Sequence, residues 1–181
     1  MKPIVSSPHP VLTTPGKTVT TFDKRLTKLI ADLKDTLRNA KNPKGVGLAA
    51  PQIGEGWRVF VTQPTEQSPI RVFVNPKLVT FSAEQTDGVP GRDNKLEGCL
   101  SIPKIWGKVH RHAALTLSYQ DEKGVHHQEK FSGFLATIIQ HETDHTNGIL
   151  FVQRVLEQNG KLYQTVPDED GKDVLEEVTL K

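Results

Sequence analysis

Two stretches of the chain repeat apolar residues at helical spacing. Phe22, Leu26, Leu29, Ile30, Leu33 and Leu37 form one stripe, with Lys, Arg and Asp opposite, which predicts an amphipathic helix over residues 21–40. Thr20, Thr21 and Asp23 can each cap it, and Asn42-Pro43 ends it. The second stretch is more apolar: Phe134, Leu135, Ile138 and Ile139 follow Ser132 as N-cap and precede Gly148 as a stop. β-rich runs occupy 57–62 and 70–75, with a proline-bearing hairpin loop at 63–69. Pro76 breaks the second run, and 78–81 reads as a further strand. Residues 82–95 are a polar loop. Ala113, Leu115, Leu117 and Tyr119 alternate with polar residues, the pattern of a half-buried strand. Asp121 to Gly124 turns the chain back into 125–130, where His126 and His127 point to opposite faces and read as surface histidines. Four prolines make residues 1–20 an extended arm. His9, His110 and His112 read as structural. Residues 149–156 continue the packing, and the acidic segment from Asp168 to Glu177 reads as exposed or as a loose hairpin. Helices and hairpins together predict one α+β domain over residues 1–181.

Composition narrows this little. A chain of 181 residues can bury a core of its own. Net charge is +2 and the pI about 8.6, which makes no case for nucleic acid. No apolar run is long enough to span a membrane, and the N-terminus lacks the apolar core of a signal peptide. The single cysteine excludes an internal disulfide framework and fits a reducing compartment.

The candidate chemistry lies at the end of the second helix. His141-Glu142-Thr143-Asp144-His145 is a His-Glu-x-x-His pattern. On a helix, His141 and His145 stand one turn apart on one face and can reach one ion, while Glu142 can act on water. Polar groups near the end of an apolar helix are costly without partners. The bland alternative is a pair of surface histidines. A catalytic metal site of this kind takes three protein ligands and one open position. Cys99 can be the third, 42 positions before His141, or simply a buried thiol. Gly98 beside it allows close approach to the backbone. Gly45-Val46-Gly47-Leu48-Ala49-Ala50-Pro51-Gln52 is small, apolar and ends in one polar side chain. It lacks the Lys-Ser/Thr ending of a phosphate loop. Gln52 either donates to a substrate oxygen or caps backbone in a tight turn.

Three segments stand in order: Gly45 to Gln52, Glu97-Gly98-Cys99-Leu100-Ser101 and His141 to His145. This closely resembles the peptide deformylases, from about residue 3 to residue 156, and leaves the acidic tail 157–181 outside. The resemblance implies antiparallel sheets around a central helix carrying the His-Glu-x-x-His motif. It implies a divalent metal on Cys99, His141 and His145, ferrous iron natively, with nickel, cobalt or zinc as substitutes. It implies hydrolysis of the formyl group from N-terminal formyl-methionine of newly made polypeptides, releasing formate. Glu142 would move the proton, and Gln52 with the Leu100 N–H would stabilise the oxyanion. Val46, Gly47 and Gly98 would offer main-chain bonds to an extended peptide. Val46, Phe134 and Ile138 are candidates for the wall of its methionine pocket, with core packing as the alternative for the last two.

Metal-bound histidine usually donates its second N–H to an oxygen. Glu97, Arg111 and Asp144 are expected to form a buried cluster that positions the ligands. Thr146 and Trp106 depart from the family pattern. Trp106, read as lying in a loop at the cleft mouth, would favour apolar residues further along the peptide. Some relatives dock on the ribosome through a basic C-terminal helix, which the acidic tail does not resemble, so only a transient ribosome contact is expected. The expected compartment is a bacterial-type cytoplasm, or an organelle after loss of a transit peptide. A His-Glu-x-x-His metallopeptidase is disfavoured by the lack of a third downstream ligand. A non-catalytic peptide-binding relative is disfavoured by the presence of Glu142, Gln52 and all three ligands.

Overall fold

The computed structural model describes residues 1–41 and 44–179. Asn42-Pro43, expected to end the first helix, lies outside the described residues. That helix, α1, spans Lys24–Asn39, and Asp23 is the cap that forms: its carboxylate accepts the N–H groups of Arg25 and Leu26 at 2.8 and 3.1 Å. Its stripe buries Leu26, Leu29, Ile30, Leu33 and Leu37.

The segment from Gly45 to Gln52 is not a plain turn. Gly47–Ala49 forms strand β1, and Ala50–Ile53 closes as one 3-10 turn. Three residues, Gly-Leu-Ala, are too few to show a period; their pairing is decided by the next strand, β2 at Val59–Thr62. Strand β3 runs unbroken from Arg71 to Phe81, where two strands were expected. A shift of register between Val74 and Lys77, with Asn75 at φ 52°, lets Pro76 sit in the strand without donating to the ladder.

Glu97–Cys99 is β4, and Ile102–Gly107 is β5. Trp106 therefore lies on a strand and not in a loop. Pro103 and Lys104, at φ 65°, interrupt the alternation that would have announced it. Ala114–Gln120 is β6 and His126–Ser132 is β7. The motif helix α2 covers Gly133–Thr146, with Ser132 at the N-cap position but making no side-chain cap bond. Gly148, at φ 74°, turns the chain away from it. A short helix α3, Phe151–Glu157, follows. The tail forms a hairpin of β8, Leu162–Pro167, and β9, Asp173–Glu177.

Two antiparallel sheets result, in the orders β1-β2-β3-β6-β7 and β4-β5-β8-β9. Helix α2 packs Ala136 and Ile139 onto Phe60, Phe73, Leu115, Leu117 and Phe131 of the first sheet. Helix α3 packs Phe151 and Val155 with Cys99, Val109 and Leu162 on the second. The end strands β1 and β4 both border the space in front of α2.

Candidate metal centre

Helical spacing sets the two histidines side by side: their rings meet edge-to-face, 5.0 Å apart. Strand β4 delivers Cys99 to the same point, its Sγ 3.2 Å from His145 Nε2. The donor atoms of Cys99, His141 and His145 all lie within 4.8 Å of one another. His141 gives its Nδ1 to Glu97 Oε2 at 3.0 Å, so its Nε2 is the ring atom left for an ion. One thiolate and two imidazoles are the donor set of a first-row transition ion, not of calcium or magnesium.

Behind the donors lies a buried ionic cluster. The Arg111 guanidinium grips Glu97 with Nε at 2.6 Å and Nη2 at 3.0 Å, and gives Nη1 to Asp144 at 3.0 Å. All three side chains are nearly inaccessible. Arg154 of α3, which no local pattern marked, also binds Asp144, at 2.7 Å through Nη2. Only the turn after α2 brings it back; its charge was the one available signal. Burial works against the charge on Glu97, but Arg111 and His141 outweigh it and hold the carboxyl at about 2. Burial also opposes the charge on Arg111, whose pKa is nevertheless raised by Glu97 and Asp144.

Glu142 is in the opposite situation. Burial pushes its carboxyl up to about 7, against the pull of His141 and Arg111. Its Oε2 is buried with no hydrogen-bond partner among the described residues, and the same is true of His145 Nδ1. Gly47 makes room for it: a Cβ there would come within 2.8 Å of Glu142 Cδ. Burial opposes protonation of His141, but bonds to Cys99 and Glu97 raise its pKa well above the usual value. His145 is lowered by burial, with the His141 and Arg111 charges acting the same way.

Gln52 does both things its sequence allowed. Its Oε1 accepts the Ala49 N–H at 2.9 Å, tying the 3-10 turn. Its Nε2 faces Cys99 Sγ at 3.5 Å and Ser101 Oγ at 3.4 Å, which points the amide at the donor cluster. The cleft in front of α2 is lined by Val46, Gly47, Gln52, Gly98, Leu100, Phe134, Ile138, His141 and Glu142, and also by Thr137, Arg92 and Trp106. The Val46 carbonyl is already taken by the Gln63 N–H at 2.7 Å.

The family model described as polypeptide deformylase matches residues 1–161. The chain belongs to the polypeptide deformylase family. It is 37% identical over 172 residues to the peptide deformylase of Chlorobaculum parvum, covering 92% of this chain and 86% of that one. It is 40% identical to that of Rhizobium meliloti, covering 86% and 85%. Among solved structures it is similar to a peptide deformylase from Synechococcus elongatus in complex with actinonin. There the TM-score is 0.74 at 36% identity, covering 83% of this chain and 78% of that one. A class I type b enzyme from Acinetobacter baumannii matches with TM-score 0.75 at 33% identity, covering 85% and 98%. The family's activity is metal-dependent hydrolysis of the formyl group of N-formyl-methionine, and the chain is a hydrolase of this family. No helix among the described residues is long and apolar enough to cross a membrane.

Proposed function

We propose that this chain releases formate from the N-terminal formyl-methionine of newly made polypeptides, with Cys99, His141 and His145 holding one divalent ion. The observation that carries this is the meeting of those three donors beside Glu142, whose Oε2 is buried with no hydrogen-bond partner among the described residues. A bound divalent ion supplies Lewis-acid chemistry there, activating water and polarising the formyl carbonyl. Glu142 accepts the proton of the attacking water and gives it to the departing amine nitrogen. A carboxyl pushed up to about 7 suits both halves of that transfer at neutral pH. The Gln52 amide and the Leu100 N–H donate to the oxygen that gains negative charge. Glu97, Arg111 and Asp144 hold His141 and the end of α2 in place.

The peptide lies extended between the outer edges of β1 and β4, bonded to main chain at Gly47, Gly98 and the Val46 N–H, the Val46 carbonyl being held by Gln63. Both strands end their sheets and border the cleft, which supports this reading. Phe134, Ile138 and Val46 wall the pocket for the methionine side chain. Ferrous iron is the native ion in this reading, and nickel, cobalt or zinc can replace it. A cysteine thiolate kept free as a ligand fits the reducing cytoplasm. Contact with the ribosome is transient. Residues 1–181 act as one domain, since β8 hydrogen-bonds to β5 and Leu162 shares the apolar cluster under α3.

The test is formate release from formyl-Met-Ala-Ser by anaerobic, iron- or nickel-loaded protein, beside Glu142→Ala. The variant keeps its metal and loses about 10²- to 10⁴-fold in kcat. Metal bound without formate from any formyl peptide would sink the proposal.

A further inference from the structure

Trp106 joins two parts of the molecule. Its indole sits directly against Gly98: a Cβ there would meet Cζ3 at 2.6 Å and Cε3 at 2.7 Å. The benzo side of the ring thus stands where a side chain of β4 would be, at the wall of the cleft. The pyrrole side reaches the other way, and Nε1 donates to Thr165 Oγ1 at 2.7 Å. Thr165 belongs to β8, in the hairpin that begins just after the family-matched residues end. Trp106 pairs directly with Tyr163, so Trp106, Tyr163 and Thr165 share one face of the sheet. Leu175 of β9 lies opposite Thr165 on that face, 42% exposed, and carries the apolar rim outward. The other face carries Ile105 and Leu162, packed into the cluster with α3.

We propose that the C-terminal hairpin β8–β9 sets the selectivity of the cleft for residues downstream of the formylated one, through the hydrogen bond from Trp106 to Thr165. This rests on the reading of the cleft as a formyl-peptide site. Gly98 directly precedes Cys99. A peptide strand whose first carbonyl sits at the donor atoms and runs along β4 comes under the indole within roughly two or three residues, at about 3.3 Å each. An indole held at both ends presents one fixed apolar wall to a side chain there. Freed from Thr165, it can turn off Gly98, and the wall is lost. Thr165 is therefore a positioning residue, and Trp106 is the surface that discriminates.

Formate release is compared for formyl-Met-Ala-Leu and formyl-Met-Ala-Ser in the metal-loaded full chain, for wild type, Thr165→Val, Thr165→Ser, Trp106→Phe and the Val/Phe double variant. Wild type prefers the leucine peptide. Thr165→Val reduces that preference about 2- to 10-fold, the worth of one neutral hydrogen bond. The loss falls on KM of the leucine peptide and leaves kcat unchanged, as for a contact equal in ground and transition states. Thr165→Ser keeps the oxygen and the preference. The double variant is no worse than the worse single one, because both remove the same contact. An unchanged preference in Thr165→Val overturns the proposal. So does an equal loss for both peptides, which marks a purely structural role. No formate from either peptide with wild type would instead overturn the reading of the reaction itself, and this inference with it.

Discussion

Helices α1 and α2 both lie against sheet, and they place their polar residues in opposite ways. On α1 the buried face is an apolar stripe, and its buried polar residues are Asp32 and Thr36. Thr36 exchanges hydrogen bonds with the Lys2 backbone, so the N-terminal arm satisfies it. On α2 almost every residue from Ala136 to Thr146 is buried, Gln140, Glu142, Thr143, Asp144 and His145 among them. Several of those polar atoms have no hydrogen-bond partner among the described residues. Such a helix is unfavourable by itself; Arg111 and Arg154 pair Asp144, and the apolar packing of Ala136 and Ile139 offsets the atoms left without partners. One helix contributes stability; the other carries chemistry that the rest of the fold must compensate.

The sharpest way to break this contrast is to remove the compensation. Arg111→Ala leaves Glu97 and Asp144 buried with less positive charge, and should cost about 3–5 kcal/mol by denaturant unfolding of the metal-free protein. The pH dependence follows the same group. Glu97 titrates at about 2 when folded against an ordinary 4.5, so its contribution is fully present above about 4.5. It is lost as pH falls toward 2. Urea midpoints of wild type should drop across that window, and Arg111→Ala should flatten the drop. An equally steep acid limb in the variant would move the origin elsewhere.

Leu33→Ala tests the other helix. Leu33 is fully buried in the stripe, and truncation should destabilise by about 2–5 kcal/mol. Formate release per folded molecule should remain as in wild type. A fall in kcat there would show that the packing of Leu100 against the α1 cluster shapes the site, and that α1 does more than contribute stability. The smallest effect belongs to Asp23→Ala, which removes the cap accepting Arg25 and Leu26 and should cost about 1 kcal/mol, read as a shift in thermal midpoint.

Legibility in the sequence followed the same divide. Helix α1 was readable almost to its ends because its stripe has one period. The hairpin of β6 and β7 was readable because Leu115, Leu117 and Tyr119 alternate and a turn follows. Strands β1 and β5 were not: one is only three residues long, the other is interrupted by Pro103 and Lys104. Their structure comes from the strands beside them. In the site, His141, Glu142 and His145 were visible from spacing along one helix. Arg154 was not, because its partner Asp144 lies across a turn and no period links them.

The sequence by itself determined the donor types, the one-turn separation of the two histidines, and the apolar lead-in that buries them, because helical geometry acts over a few residues. It also set glycines at 47 and 98, where no side chain can intervene. Only the tertiary structure decided that Cys99 meets His145, that Arg111 joins two carboxylates from different elements, and that Thr165 holds Trp106 over Gly98. These hydrogen-bonded pairs lie 14 to 59 positions apart. Sequence spacing carries no distance at that range, and the pairing of two sheets around one helix supplies it.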